Sequence, residues 1–235
     1  MKKIIKYSML FISVVVITAS CKKDFLNTEP LTAFSDIAVW SDPILIQTFI
    51  DGIYSNLNNP ANGGDGVLKG EFVDEMHDQW YSFFDFNNSL LTPDNNNANW
   101  FHENWAKLYK NVRACNLFFD KIDGVTTFDN TLTNGVLLED RMKGEVHFLR
   151  ANLYSQLVSL YGGVPLVKIA LGLNDEVSLP RDTYADCIQF IVDECDAAAS
   201  LLPIVESGKN QGRVTKGAAL TLKTRVLLSA ASDFV

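Results

Sequence analysis

KGEVHFLRANLYSQLVSLYGGVPLV, residues 143–167, belongs to the segment of this sequence with the longest helical periodicity. Apolar residues recur every three or four positions through it, which is the spacing of one face of an amphipathic helix. The apolar positions are Leu138, Met142, Val146, Leu149, Leu153, Leu157 and Leu160. Gly162-Gly163 and Pro165 end the pattern, because glycine allows a positive φ and proline cannot continue a helix. The sequence therefore predicts its longest helix over Gly135–Tyr161, followed by a tight exit.

Other segments of the chain show the same helical spacing. Their predicted starts are Ser41-Asp42-Pro43, Trp100, Asp182 or Thr183, and Thr215. Serine, threonine and aspartate cap helix N-termini, and proline is tolerated in the first turn. The matching stops are Asn58-Asn59-Pro60, Gly124 and Pro203. Strongly alternating strand patterns are lacking, so the predicted fold is mostly α, a framework of helix pairs of the tetratricopeptide kind with long irregular loops.

Length and charge narrow the possible functions. A chain of 235 residues suggests one domain or two. The formal net charge is −8, and without residues 1–20, which carry three lysines and no acid, it becomes −11. Nucleic-acid binding depends on lysine and arginine meeting phosphate, so an acidic chain does not suit it.

The first thirty residues have the pattern of an export signal. Three lysines in Met1–Lys6 precede an apolar run of about a dozen residues, too short to span a bilayer. Thr18-Ala19-Ser20 are small, and Cys21 follows where a bacterial lipoprotein signal places its lipidated cysteine. We predict a signal peptide at 1–20 and a tether with lead-in at 21–40. The alternative is an ordinary signal peptide that happens to meet a cysteine.

The other cysteines and the histidines are predicted to be inert. Cys115, Cys187 and Cys195 are an odd number, which argues against a disulfide framework. Cys187 and Cys195 would lie about 12 Å apart on one helix, beyond the ~7 Å that a disulfide allows between Cα atoms. Buried free thiols are the prediction. The three histidines stand far apart in the sequence, and no metal or other cofactor is predicted.

The loop region of residues 61–99 and the start of the helix that follows it contain the candidates for binding. Glu71–Asp78 is rich in acids and could serve acid–base chemistry or hold calcium, and its alternative is a solvated loop. Trp80, Tyr81 and Trp100 lie beside asparagine-rich loops. Sugar rings stack on exposed aromatic side chains, and their hydroxyls pair with amides and carboxylates. We predict these three residues as sugar contacts, with closure of the core from outside as the alternative.

Five segments, in order, resemble the SusD/RagB lipoproteins of Bacteroidetes. The strongest resemblance is Lys143–Val167, where the family has an acid, His-Phe-Leu-Arg-Ala, a tyrosine and Leu-Tyr-Gly-Gly-Val-Pro-Leu. Trp105–Ile122 is similar to the family's Trp-x-x-x-Tyr-x-x-x-Arg-x-x-Asn helix. The others are SCKKDFLNTEP, WSDPILIQTFIDGIYSNL and GRVTKGAALTLKTRVLLSAAS. The family's ligand residues lie in no shared motif, so none is transferred to this chain.

The resemblance implies a specific role. Family members are lipid-anchored on the outer face of the outer membrane, cover a SusC-like TonB-dependent transporter, and present oligosaccharides, or in some members peptides, for import. They are not enzymes. Residues 41–235 are then an N-terminal SusD-like helical domain, and the family's greater length implies that a C-terminal part is missing here. Two alternatives stay open: a helical scaffold that binds no nutrient, and an anchored hydrolase using the Glu71–Asp78 acids.

Overall fold

The computed structural model describes residues 36–57, 62–64, 67–68, 99–128, 132–172, 175 and 178–232, with the backbone alone at 36–37, 62–64, 67–68 and 99–104. The chain divides into two compact units, residues 1–39 and 40–235. The first contains helix α1, Asp36–Val39. Within its described residues, the second unit contains the α-helices α2 (Pro43–Tyr54), α3 (Asn99–Ile122), α4 (Leu138–Tyr161), α5 (Tyr184–Leu201) and α6 (Lys216–Ala230). The predicted mostly α fold is confirmed.

Three of the helix starts follow from capping side chains, as predicted. Asp42 accepts a hydrogen bond from the Ile44 amide at 2.8 Å, and Pro43 occupies the first turn of α2. Thr183 rather than Asp182 caps α5, accepting from the Asp186 amide. Thr215 caps α6. Each cap satisfies an amide that has no partner within its own helix.

The start of α4 differs from the prediction. A hairpin of two short strands, β3 (Leu132–Thr133) and β4 (Val136–Leu137), precedes the helix, which begins at Leu138 and not at Gly135. Asn134 and Gly135 form the turn with φ values of 51° and 88°. A two-residue hairpin turn of type I′ needs positive φ at both positions, and Asn-Gly adopts it readily. A second antiparallel pair joins β1 (Asn62–Gly64) to β2 (Val67–Leu68).

Helices α3 to α6 pack as successive antiparallel neighbours. Lys143 at the start of α4 pairs with Asp123 just past the end of α3, at 2.9 Å. Gly144 on α4 lies against Leu201 and Leu202 at the far end of α5. Lys223 on α6 pairs with Asp196 on α5 at 2.7 Å. This arrangement leaves the end of α4 and the start of α5 at the same end of the array as the N-terminal half of α3.

The core lies where α2 to α5 meet. Its largest fully buried side chains include Ile46 and Ile50 of α2, Phe118 of α3, Leu149, Leu153 and Tyr154 of α4, and Ile191 of α5. Cys115, Cys187 and Cys195 are free and buried, as predicted. Among the described residues, no helix combines the length and apolar character that crossing a membrane requires.

Candidate ligand-binding site

The predicted functional residues fall mostly outside the described part of the chain. Cys21, Trp80 and Tyr81 lie outside it, as does the acidic stretch Glu71–Asp78. Trp100 belongs to the first turn of α3, where the backbone is helical. The structure therefore locates the helix that presents Trp100, and the three sugar contacts stay a prediction.

An aromatic cluster lies one to two turns further along α3. The Trp105 ring contacts the Tyr109 ring at 4.8 Å between centroids and meets the Tyr161 ring edge-on at 4.9 Å. The guanidinium of Arg181 lies 5.8 Å from the Trp105 ring centroid. Such pairs prefer tilted and edge-on geometry because the ring face is negative and the ring edge positive. We call Trp105, Tyr109, Tyr161 and Arg181 the aromatic cluster; it fixes the helix segment that follows Trp100.

Arg181 also closes the end of α4. Its guanidinium donates to the carbonyls of Tyr161 and Gly163, at 2.9 and 3.0 Å. Gly162 has a φ of 69°, which glycine adopts without a steric penalty. The last carbonyls of a helix lack intrahelical partners, and a cationic side chain there satisfies them. The Gly-Gly pair and Arg181 together turn the chain back toward α3.

The segment that follows, residues 162–172, is held in place by side chains. We call it the exit segment. The Tyr109 hydroxyl donates to the Pro165 carbonyl at 2.8 Å, and the Asn116 amide donates to the carbonyls of Val167 and Ile169 at 2.8 and 3.0 Å. Arg113 donates to the Leu171 carbonyl at 2.8 Å. Three positions of α3 therefore satisfy backbone groups that a neighbouring strand would otherwise have to satisfy.

Helix α4 holds the same segment from its other side. The hydroxyl of the fully buried Tyr154 accepts from the Val167 amide at 2.7 Å and donates to the Val167 carbonyl at 3.2 Å. Burial raises the pKa of Tyr154, since the phenolate would lose its hydration. The hydroxyl therefore stays protonated and keeps its donor role at any ordinary pH.

A buried ionic cluster joins α3, α4 and α5. Arg150 binds both carboxylate oxygens of Glu194, at 2.8 and 2.7 Å, and donates to the Asn116 side-chain oxygen at 2.9 Å. His147 Nδ1 lies 3.1 Å from Glu194 Oε2. Burial acts to raise the pKa of Glu194, but the hydrogen bonds from His147 and Arg150 outweigh it and hold this pKa below its ordinary value. We call these four residues the Arg150 cluster.

A second ionic cluster joins α2, α4 and the loop before α6. Glu145 is fully buried, with one oxygen paired to Arg141 and the other 3.2 Å from Arg213. Arg213 continues to Asp51 on α2 at 2.7 Å, and Arg141 donates to the Gln47 side-chain oxygen. Buried carboxylates persist only when paired and hydrogen-bonded. This cluster therefore fixes the angle at which α2 crosses the array.

Neither cluster has the chemistry of a catalytic or metal site. Their carboxylates are engaged by guanidinium groups, and the described residues contain no group of three or more metal-ligating side chains. Burial raises the pKa of the Cys115 thiol to about 12 and that of Cys195 to about 11, so both are neutral near pH 7. Reactive cysteines need a lowered pKa. The motif residues Asn116 and Arg150 therefore make structural contacts.

Sequence reasoning missed several of these structural residues. Arg150, Tyr154 and Tyr161 fall in the stretch Lys143–Val167 that most resembles the family, and their contacts are structural. Arg113 and Asn116 occupy the Arg and Asn positions of the Trp-x-x-x-Tyr-x-x-x-Arg-x-x-Asn pattern, and no pattern marks Glu194 or Arg213. For Asn116 and Glu194 the signal that could have found them is an amide or charged residue on the apolar side of a predicted helix. Arg113 is exposed and Arg213 lies in a loop, so that signal is lacking for both.

Comparison with known proteins agrees with this architecture. Residues 24–228 match the SusD-like family described as "Starch-binding associating with outer membrane". A SusD-like protein of Bacteroides fragilis is 29% identical, with a TM-score of 0.69 over 86% of this chain and 38% of its own. A SusD-like carbohydrate binding protein from the same species is 24% identical, with a TM-score of 0.61 over 81% of this chain and 38% of its own. No curated protein matches the chain.

A laminarin-binding SusD-like protein shares the fold at 18% identity, with a TM-score of 0.65 over 81% of this chain and 41% of its own. The chain thus spans about two fifths of the length of these solved structures. The family match covers most of the chain and includes helices α2 to α5 and the exit segment. On this basis the chain belongs to the SusD-like family.

Proposed function

We propose that this protein is a cell-surface lipoprotein that binds oligosaccharides and delivers them to a TonB-dependent transporter of the outer membrane. The observation that carries the proposal is the family match over residues 24–228, which begins three residues after Cys21. The export signal ends at that cysteine, so the matched part would follow the lipid attachment point directly. A lipid anchor at Cys21 holds the binding domain at the membrane without a spanning helix.

We place the ligand contacts at Trp80, Tyr81 and Trp100. Support comes from the position of Trp100 in the first turn of α3, directly before the aromatic cluster. The contacts of Trp105 with Tyr161 and Arg181 hold this part of α3 firmly against the end of α4. A helix backbone that is already held in place lowers the conformational entropy that is lost when a ligand binds to its aromatic side chain. Trp80 and Tyr81 supply two further apolar faces of the kind that sugar rings stack on.

Binding of a glycan is the first prediction. Starch oligosaccharides and laminarin are the first probes, because the family description and one relative name them. For the glycan that binds, Trp100→Ala and Trp80→Ala should each weaken affinity about 30-fold, corresponding to ~2 kcal/mol for loss of a central aromatic contact. Titration calorimetry on the protein without residues 1–21 measures the affinity of both variants. Ile204→Ala, a change at an exposed apolar residue beyond the far end of α5, is the matched control.

The possible results test the location of the ligand contacts separately from glycan binding itself. Unchanged affinity in both tryptophan variants would place the ligand elsewhere while leaving glycan binding intact. If no glycan in a broad array binds, the scaffold alternative is favoured over nutrient capture. New reducing ends after long incubation with laminarin would contradict the non-catalytic role.

Lipidation of Cys21 is the second prediction. Cells fed a labelled fatty acid should incorporate the label into the wild-type protein, and Cys21→Ala should abolish it, because that thiol is the acceptor. The wild type should fractionate with the outer membrane and be cleaved by protease added to intact cells. Cys115→Ala changes a buried thiol and should leave labelling unchanged. Label retained in Cys21→Ala would exclude this anchor.

A further inference from the structure

Helix α3 carries a row of cations on its exposed side. Lys107, Lys110 and Arg113 follow one another at intervals of three residues, and all three are exposed. Residues three apart on a helix are neighbours, with Cβ atoms about 5–6 Å apart, and such a row runs obliquely around the helix axis. From Asn104 to Phe119 the helix contains no aspartate or glutamate. We call Lys107, Lys110 and Arg113 the basic row.

The positive charge of the basic row stands against an acidic chain, whose formal net charge is −8. Three partly exposed lysines elsewhere on the helices are each paired with a carboxylate: Lys121, Lys143 and Lys223. Among the described residues, neither Lys110 nor Arg113 forms an ion pair. The basic row is therefore a local reversal of charge, and a surface of this kind attracts anions.

The basic row leads from the first turns of α3 to the exit segment. Lys107 lies seven residues after Trp100, which is about two turns or ~10 Å along the helix. At the other end, Arg113 Nε donates to the Leu171 carbonyl at 2.8 Å. This bond fixes the guanidinium and uses one of its five donors, so the planar pair of Nη groups is left to bind an anion.

We propose that the basic row binds an anionic group of the ligand, so that the glycan captured by this protein carries carboxylates or sulfate esters. The inference rests on the proposed function, because it places the charged part of that glycan on α3 beyond the turn of Trp100. Lys110 and Arg113 are close enough to hold one anion between them, the ammonium as a point charge and the guanidinium as a planar fork. A uronic acid supplies such a carboxylate and keeps the apolar ring face that stacks on an aromatic side chain.

A glycan array probed with the protein without residues 1–21 tests the class of ligand. The array contains uronate-bearing, sulfated and neutral glycans, and the strongest signals should fall on the acidic members. The acidic glycan that binds is then compared with its neutral counterpart: oligogalacturonate with its methyl ester, or a sulfated galactan oligosaccharide with its desulfated form. The acidic form should bind about 10-fold more tightly, and its affinity should fall about fivefold as NaCl is raised from about 0.05 to about 0.5 M.

Substitution of Lys110 tests the basic row itself. Lys110→Gln removes one exposed charge and should weaken binding of the acidic glycan about threefold to fivefold, and Lys110→Glu should weaken it about 20-fold. Binding of the neutral counterpart should not change in either variant. Lys121→Gln is the matched control, because it removes the same charge from the same helix at a lysine that already pairs with Asp120. Its affinity for the acidic glycan should equal that of the wild type.

The contrary results separate this inference from the proposed function. Binding of neutral glycans alone, or equal affinity for acidic and neutral forms, would overturn the inference and leave glycan capture intact. Wild-type affinity of Lys110→Glu for an acidic glycan would also overturn it, because the anion would then lie elsewhere. Binding of hexaglutamate with no response to any acidic glycan would overturn it in favour of an acidic peptide. An array on which no glycan binds would contradict the proposed function and this inference together.

Discussion

Replacing Arg150 by methionine should destabilise the protein by about 3–5 kcal/mol, the usual cost of removing one partner from a buried ion pair. The change leaves the Glu194 carboxylate, only 7% exposed, with His147 as its remaining partner in the Arg150 cluster. It also removes the donor to the Asn116 side chain, which holds two carbonyls of the exit segment. Urea unfolding followed by circular dichroism measures the loss.

A double variant separates an unpaired charge from lost packing. Arg150→Met with Glu194→Leu removes both charges, and replacing a whole buried pair by apolar residues is often close to neutral. The double variant should therefore be more stable than Arg150→Met alone. Lys223→Ala breaks an ion pair that is partly exposed to solvent, so it should cost no more than about 1 kcal/mol. Equal losses in Lys223→Ala and Arg150→Met would contradict the assignment of Arg150 as a buried structural cation.

The contribution of Glu194 to the free energy of unfolding depends on pH with a definite sign. The pKa of Glu194 is lower in the folded protein than its ordinary value. The stability that this carboxylate contributes is therefore fully present above the ordinary glutamate pKa and is lost as pH falls through the folded pKa. The difference in stability between wild type and Arg150→Met should accordingly be largest near neutral pH and shrink in acid. A difference that grows on acidification would contradict this.

Gly163→Ala should cost about 3 kcal/mol or prevent folding, although it adds one methyl group. A Cβ at position 163 would lie 2.3 Å from the Asp182 carbonyl oxygen and 3.2 Å from the Tyr184 amide nitrogen. Both are backbone atoms, so no side chain can turn aside to make room. Overpacking usually costs 1–3 kcal/mol and more where the neighbours cannot move. Here Asp182 is itself fixed, because its amide donates to the Val164 carbonyl and its side chain accepts from the Leu166 amide.

Gly52→Ala is the matched control for this prediction. Gly52 lies inside α2, and a Cβ there would meet no atom within 4 Å. Alanine is favoured over glycine in a helix interior, so this variant should be more stable by about 0.5–1 kcal/mol. The same chemical change is thus expected to act in opposite directions at two sites. Comparable unfolding midpoints for the two variants would show that the end of α4 and the start of α5 approach less closely than described.

Helix positions were predictable because their causes are local. The capping residues Asp42, Thr183 and Thr215 each precede an apolar pattern of helical spacing, and all three were found where the pattern placed them. The hairpin over Leu132–Leu137 was missed because strands of two residues are too short to show alternation. Its Asn134-Gly135 turn was the available signal.

The contacts between distant segments could not be predicted in the same way. Glu145 and Glu194 lie on helices, where a glutamate is usually solvated. Their burial depends on Arg213, 68 residues beyond Glu145, and on Arg150, 44 residues before Glu194. The path of the exit segment likewise depends on Tyr109 and Asn116, more than 50 residues away in sequence. The assignment of Trp80, Tyr81 and Trp100 as sugar contacts depends on side-chain chemistry alone, because no local sequence pattern encodes a ligand contact.

The exit segment is held through its backbone, so the residues on its exposed surface can change without altering its path. Tyr109, Asn116 and Tyr154 form hydrogen bonds with backbone carbonyl and amide groups of the segment. These backbone groups are nearly the same for every amino acid. Outward-facing positions such as Ile169, 66% exposed, are therefore free to change while the path of the chain is kept. Inserting or deleting a residue would instead shift every carbonyl past its donor. This surface should tolerate many substitutions and almost no change in length.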